Sequence, residues 1–181
     1  AALVGAHEHP DSVAVVWRQR SHGYRELASH IAGFVPVLEQ AGIVPGMIVA
    51  VACNNRYLRL VLAFALEVIG AAAAHLPAPD AASDEALAHC DVLLADRKAL
   101  MLTPPAGLRC IPVTPDIVRR ISQAQIRRID LDRLARERKG PEVTFLGSTS
   151  ATTGGRKFFL ETWAGVCSQI QLIERMYFRS E

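Results

Sequence analysis

The sequence predicts an α/β fold: a central, mostly parallel sheet flanked by helices on both faces. Three observations predict it. Short runs of β-branched and apolar residues alternate with segments of helical period. Gly, Pro and Asn stand at the joints between them. Half of the 181 residues are apolar, enough to bury a sizeable core. Residues 1–181 read as one α/β domain. The strand–helix–strand order implies parallel strands joined by right-handed crossovers.

The elements follow in order. Val13–Trp17 is β-branched and apolar and is assigned as a strand of that sheet. Tyr24, Leu27, Ile31, Phe34, Val35 and Leu38 then recur at helical spacing, and Gly42 and Pro45 close the helix. Ile48–Cys53 reads as a buried strand. Asn54 or Asn55 caps a second helix, which runs to about Ile69 and ends at Gly70. That helix is apolar on nearly every side, so it is expected to be largely buried. Ala71–Leu76 is a short strand, Pro77-Ala78-Pro79-Asp80 a loop, and Asp84–His89 a short helix. Val92–Ala95, Cys110–Val113 and Val143–Leu146 are further strands, and Phe158-Phe159-Leu160 is a last apolar run. A helix begins near Gly165 and carries Ile170, Ile173 and Met176.

Charge and composition exclude several classes. The net charge of +2 implies no general attraction to nucleic acid. Residues 116–139 are locally basic, with eight Arg or Lys against four Asp or Glu. Their apolar stripe is thin, so they read as a solvated helix or helix pair. A docking surface for an acidic carrier domain or a cofactor phosphate is the sharper alternative. No aromatics interleave with these arginines, against a single-stranded nucleic-acid site. The longest apolar stretch, Leu58 to Leu76, is broken by Arg59, Glu67 and His75, so no membrane span is expected. No basic segment precedes an apolar core at the N-terminus, as a secretory signal would require.

Cys53, Cys90, Cys110 and Cys167 are scattered with no Cys-x-x-Cys pair, which fits a reducing, cytoplasmic compartment. Cys53 and Cys110 fall in strands and read as buried small apolar residues. His7 and His9 lack a second pair of ligands, so no metal is assigned to them. His30 and His89 lie on helices and are expected to be partly exposed. His75 ends a strand and could approach a ligand. Trp17 and Trp163 read as packing residues.

Chemistry concentrates in Ser148-Thr149-Ser150-Ala151-Thr152-Thr153-Gly154-Gly155-Arg156-Lys157. Small residues let such a loop turn tightly and aim N–H and O–H donors inward, while Lys157 brings a cation to the same point. A triphosphate needs that combination. Gly154 and Gly155 allow close approach of backbone to ligand. The loop is not a Walker A motif, because Gly-x-x-x-x-Gly-Lys-Ser/Thr cannot be fitted. It runs from strand to strand, without a helix dipole. A Ser/Thr/Gly-rich hairpin turn with no ligand is the plain alternative.

The loop resembles the phosphate-binding motif of the adenylate-forming superfamily, Thr-Ser-Gly-Ser/Thr-Thr-Gly-x-Pro-Lys-Gly. Thr149, Ser150, Thr152, Thr153, Gly154 and Lys157 match it. Ala151, Arg156 and Phe158 stand where Gly, Pro and Gly are usual. The resemblance continues upstream in order. Ala14-Val15-Val16-Trp17 with Tyr24-Arg25-Glu26-Leu27 is similar to the family's first strand and helix start. Ala41-Gly42-Ile43-Val44-Pro45-Gly46 with Val49-Ala50-Val51 is similar to its next turn and strand, with Met47 where Asp is usual. Ala63 to Pro77 is similar to the helix and strand that follow. Trp163 stands where many members carry His.

The resemblance implies an N-terminal subdomain of an enzyme that activates a carboxylic acid as an acyl adenylate. It implies ATP and Mg²⁺ as cofactors. It implies coenzyme A or a carrier-protein pantetheine as the thiol acceptor. In that reading Thr149, Ser150, Thr152, Thr153 and Gly154 hold phosphates, and Lys157 both binds them and acts catalytically. A chain that starts at Ala1 and stops at Glu181 inside a helix is expected to be part of a longer protein, and inactive alone. Two alternatives stay open: a degenerate homologue kept as a scaffold or carrier-docking module, and an unrelated α/β phosphate-binding domain.

Overall fold

The computed structural model describes residues 5–6, 8–75, 84–96, 107–123, 143–148 and 158–178. Among them the strands are β1 (Val13–Trp17), β2 (Arg20–Gly23), β3 (Ile48–Ala52), β4 (Ala72–His75), β5 (Val92–Ala95), β6 (Arg109–Pro112), β7 (Val143–Ser148) and β8 (Phe158–Thr162). The helices are α1 (Tyr24–Gln40), α2 (Arg56–Ile69), α3 (Asp84–Leu87), α4 (Pro115–Gln123) and α5 (Trp163–Phe178). The expected α/β architecture is present. Six strands form one sheet in the order β6-β5-β3-β4-β7-β8. The first five are parallel to one another, and β8 runs antiparallel to β7.

One strand assignment is corrected. Val13–Trp17 is a strand, but it does not join the central sheet. It turns back on β2 as a separate antiparallel hairpin, with Trp17 opposite Arg20. Arg18 and Gln19 make the turn, both at positive φ (48° and 63°). That backbone suits the right-handed twist of a two-residue hairpin, and side chains other than Gly adopt it at a cost.

Helix α2 shows how local sequence becomes packing. Asn55 caps it, its side chain accepting the Leu58 N–H at 3.2 Å. Gly70 ends it in the left-handed region at φ 88°, where a side chain would be strained. Tyr57, Leu58, Val61, Leu62, Ala65, Leu66 and Ile69 are buried between these caps. Their spacing makes one face, which lies on α1 and on the sheet. Each such aliphatic side chain contributes about 1.5–3 kcal/mol by leaving water.

The two faces of the sheet carry different cores. Val49, Val51, Ala73, Val92 and Leu94 face α1 and α2, with Ile121 of α4 joining the same cluster. Ala50, Ala52, Ala74, Leu93, Ala95 and Leu146 form the other face, where Ala86 and Leu87 of α3 cover them. Helices therefore lie on both faces, but unequally. Cys53 is fully buried, as read, whereas Cys110 is only half-buried. His30 departs from expectation: it is buried, because Tyr57 from α2 satisfies its ring. Trp17 is half-buried against the larger core. The side chains of His75 and Trp163, the pair His7 and His9 as a unit, and most of the basic stretch beyond Gln123 fall outside the described residues.

Candidate functional site

Five parallel strands end on one edge of the sheet. In open α/β sheets that carboxyl edge is where ligands bind. Cys53 to Asn55 follow β3 there, His75 ends β4, Asp96 follows β5, Thr114 follows β6, and Ser148 ends β7. Ser148 and Phe158, which flank residues 149–157 in sequence, are paired at this edge.

Strand order reverses beside β3, since β4 lies on one side of it and β5 on the other. The exits of β3 and β5 therefore stand next to each other. Asp96 closes the gap between them: its carboxylate accepts the Asn54 N–H at 2.7 Å, and its own N–H reaches the Ala52 carbonyl at 3.2 Å. Asp91 does the same at the amino edge, accepting the Ile48 N–H at 2.8 Å. Two aspartates thus clamp β3 to β5 at both ends. Charge-assisted bonds of this kind contribute about 1.5–3 kcal/mol each when sheltered, and less where water reaches them. The Cys53 thiol sits beside this clamp. Burial first, and then the Asp96 charge, push it up to about 12, so it stays protonated and is no nucleophile. Burial likewise raises Cys90 to about 11.

Thr149, Ser150, Thr152, Thr153, Gly154 and Lys157, expected from the sequence to hold phosphates, lie outside the described residues. Their two anchors do not. Ser148 at the end of β7 is opposite Phe158 at the start of β8, so nine residues span two paired strands. Tight hairpins use two to five residues, and a longer connection at a strand end is a common seat of function. The strand-to-strand setting read from the sequence is present.

Two features of these anchors escaped the sequence. Phe158, standing where the motif has Gly, packs against the alanine-rich core cluster and meets the His89 ring at 5.1 Å between centroids. That packing pins the chain directly after Lys157. One pair deeper, Gly147 faces Phe159, and a Cβ on Gly147 would lie 2.5 Å from the Phe159 ring. The glycine makes room for the aromatic ring across the ladder. A run of two Phe after a Gly-Gly loop was the available signal, but only pairing shows which ring goes in. Glu161 of β8 accepts from the Gln169 amide at 2.7 Å and so ties α5 to the hairpin.

Among the described residues no group of three or more His, Cys, Asp or Glu could hold a metal ion. No described helix is long and apolar enough to cross a membrane.

Comparison with known proteins fits this geometry. The AMP-binding enzyme family matches residues 4–177. No curated protein matches the sequence. Among solved structures, the NpsA N-terminal subdomain of Klebsiella oxytoca superposes with a TM-score of 0.66 at 22% identity, covering 89% of this chain and 41% of that one. O-succinylbenzoate coenzyme A synthetase (MenE) from Bacillus subtilis, in complex with AMP, gives 0.69 at 15% identity, covering 98% and 46%. The nonribosomal peptide synthetase FmoA3, in an AMPPNP-bound form, gives 0.69 at 20% identity, covering 97% and 18%. The chain thus spans less than half the length of each of these structures.

Proposed function

The chain belongs to the AMP-binding enzyme family, and from that premise we propose that it is the N-terminal, phosphate-loop part of an ATP-dependent ligase. The enzyme joins a carboxylic acid to AMP and then passes the acyl group to a thiol. The observation that carries this is the Thr149–Lys157 loop, hung between paired strands at the carboxyl edge of a parallel sheet. The AMP and AMPPNP complexes named among similar structures support ATP as the nucleotide.

The chemistry asks for what the loop offers. A carboxylate must attack the α-phosphate of ATP, so two anions meet and charge must be neutralised. Backbone N–H groups and the hydroxyls of Ser150, Thr152 and Thr153 hold the β- and γ-phosphates in this reading. Lys157 steadies the charge that grows as pyrophosphate leaves. Arg156 adds a second cation where the motif has Pro. Mg²⁺ supplies further charge when bound, but the described residues offer no ligand set for it, so no step is assigned to it.

Coenzyme A or a carrier pantetheine as acceptor, and a cytoplasmic setting, complete the proposal. Residues 1–181 form one α/β unit within it. ATP–pyrophosphate exchange over a panel of carboxylic acids tests it. The enzyme carrying this segment exchanges with at least one acid, and the isolated 181-residue chain exchanges with none. Exchange by the isolated chain, or none by an enzyme that is folded and binds ATP, would overturn the reading.

A further inference from the structure

A polar cluster on the α1–α2 side of the sheet takes no part in the chemistry above. It joins the β1–β2 hairpin to α1 and α2. Two of its rings are buried histidines, His22 on β2 and His30 on α1. Tyr57, in the first turn of α2, touches both. Its ring stacks on His22 with centroids 3.7 Å apart and planes 10° from parallel. Its hydroxyl lies 2.8 Å from His30 Nδ1. Burial pushes the phenol well above its ordinary range, so it keeps its proton and donates. His30 Nδ1 accepts only while the ring is neutral.

We propose that Tyr57, clamped between His22 and His30, is an acid-sensitive latch that holds the β1–β2 hairpin on the helical layer. One observation and two consequences of the cluster's geometry carry this. The hairpin makes no ladder with the central sheet, and two strands alone are marginal in water. Its hold therefore rests on packing, on this cluster and on a few further ties: the Tyr24 and Arg25 N–H groups donate to the Ser12 and Pro10 carbonyls, Arg25 pairs with Asp11 at 3.4 Å, and Arg56 lies over the Trp17 ring at 5.8 Å. A proton on His30 Nδ1 would put two donors face to face in a buried site, and the Tyr57 hydrogen would have to find another acceptor. In this proposal, lifting His22 off Tyr57 opens the Tyr57–His30 pair to water, so the open hairpin takes that proton more readily than the closed one.

The surrounding charges agree with the direction. Burial lowers the His30 pKa most. Glu26 of α1 opposes this, and His22 and Arg20 of β2 reinforce it. Arg20 donates to Glu26 at 2.8 Å, which ties up that carboxylate. The buried His22 Nδ1 lies 3.1 Å from the other Glu26 oxygen without forming a hydrogen bond. A native pKa held below the open-state value stabilises the closed hairpin above about pH 6.5. That stability drains away as the pH falls from there to the native pKa.

Amide hydrogen exchange of the whole chain, corrected for the intrinsic rate, reads this out. Protection of the β1–β2 amides should fall severalfold, up to about tenfold, between about pH 7.5 and about pH 5.5. Protection of Val49–Ala52 in β3 should not change. His30→Gln keeps an acceptor for Tyr57 without a titrating ring, so the fall should vanish. His22→Phe keeps the stack and should retain the fall. Should His30→Gln not fold, the His30 ring proton shifts of the wild type replace it, and they should move in step with hairpin exchange. A flat wild-type profile overturns the latch. So does a fall that survives His30→Gln, one that is lost in His22→Phe instead, or a His30 ring that titrates while the hairpin stays closed.

Discussion

The centre of the sheet and its β7–β8 margin are built on different principles. Strands β3 and β5 are buried on both faces, covered by helices, and clamped together by Asp91 and Asp96. The β7–β8 hairpin has Leu146 in the core, but Phe159 and Leu160 of β8 are 44% and 53% exposed. Leu172 of α5 is exposed as well. Burial supplies stability at the centre. A ladder, Leu146 in the core and the Phe158 ring hold the margin, and the proposed phosphate loop lies between its two strands in sequence. On the proposed function, a stiff scaffold and a less buried edge divide stability from chemistry, and substitutions should separate the two.

The largest effect on folding is expected at the centre. Leu62 is fully buried between α2 and its neighbours. Leu62→Ala should cost about 2–5 kcal/mol in urea unfolding, from lost transfer energy and the cavity left behind. A cost well under 1 kcal/mol would break the comparison, because the helical layer would then be loosely packed. Asn55→Ala removes the cap of α2 and should cost about 1 kcal/mol, and Asn55→Asp should retain most of it. The smallest effect is expected at the margin. Leu160→Lys should change stability by no more than about 0.5 kcal/mol, since the residue is already 53% exposed and the lysine stem can keep the remaining contact. A larger loss would mean that β8 is covered in solution.

Much of the centre was legible in the sequence. Helical spacing from Tyr24 to Leu38 gave α1, and Asn55 and Gly70 bracketed α2. Short apolar runs marked β3 to β7 to within a residue or two. What stayed hidden depends on partners far along the chain. Arg20–Gly23 is polar and carries no strand pattern, so β2 was invisible, and without it β1 was assigned to the wrong sheet. His30 lies on the buried face of α1, and its ring is satisfied there by Tyr57, 27 residues away. Phe158 reads as a departure from a glycine, and only packing shows it to be an anchor. The candidate loop at 149–157 is read from residue types alone, since those residues lie outside the described ones.

The central claim is that this loop is the phosphate site, and pyrophosphate exchange in the full enzyme tests it most directly. Four proteins are compared: wild type, Lys157→Ala, Arg156→Ala and the double variant. Lys157→Ala should lower the adenylation rate more than it weakens binding of the acid. Loss of one charge-assisted contact in the transition state costs about 2–4 kcal/mol, or roughly 30- to 1000-fold in rate. If Arg156 shares the contact, the single variant will be mild and the double one severe. Four equal rates from an active wild type would contradict the account, because the loop would then not be the phosphate site.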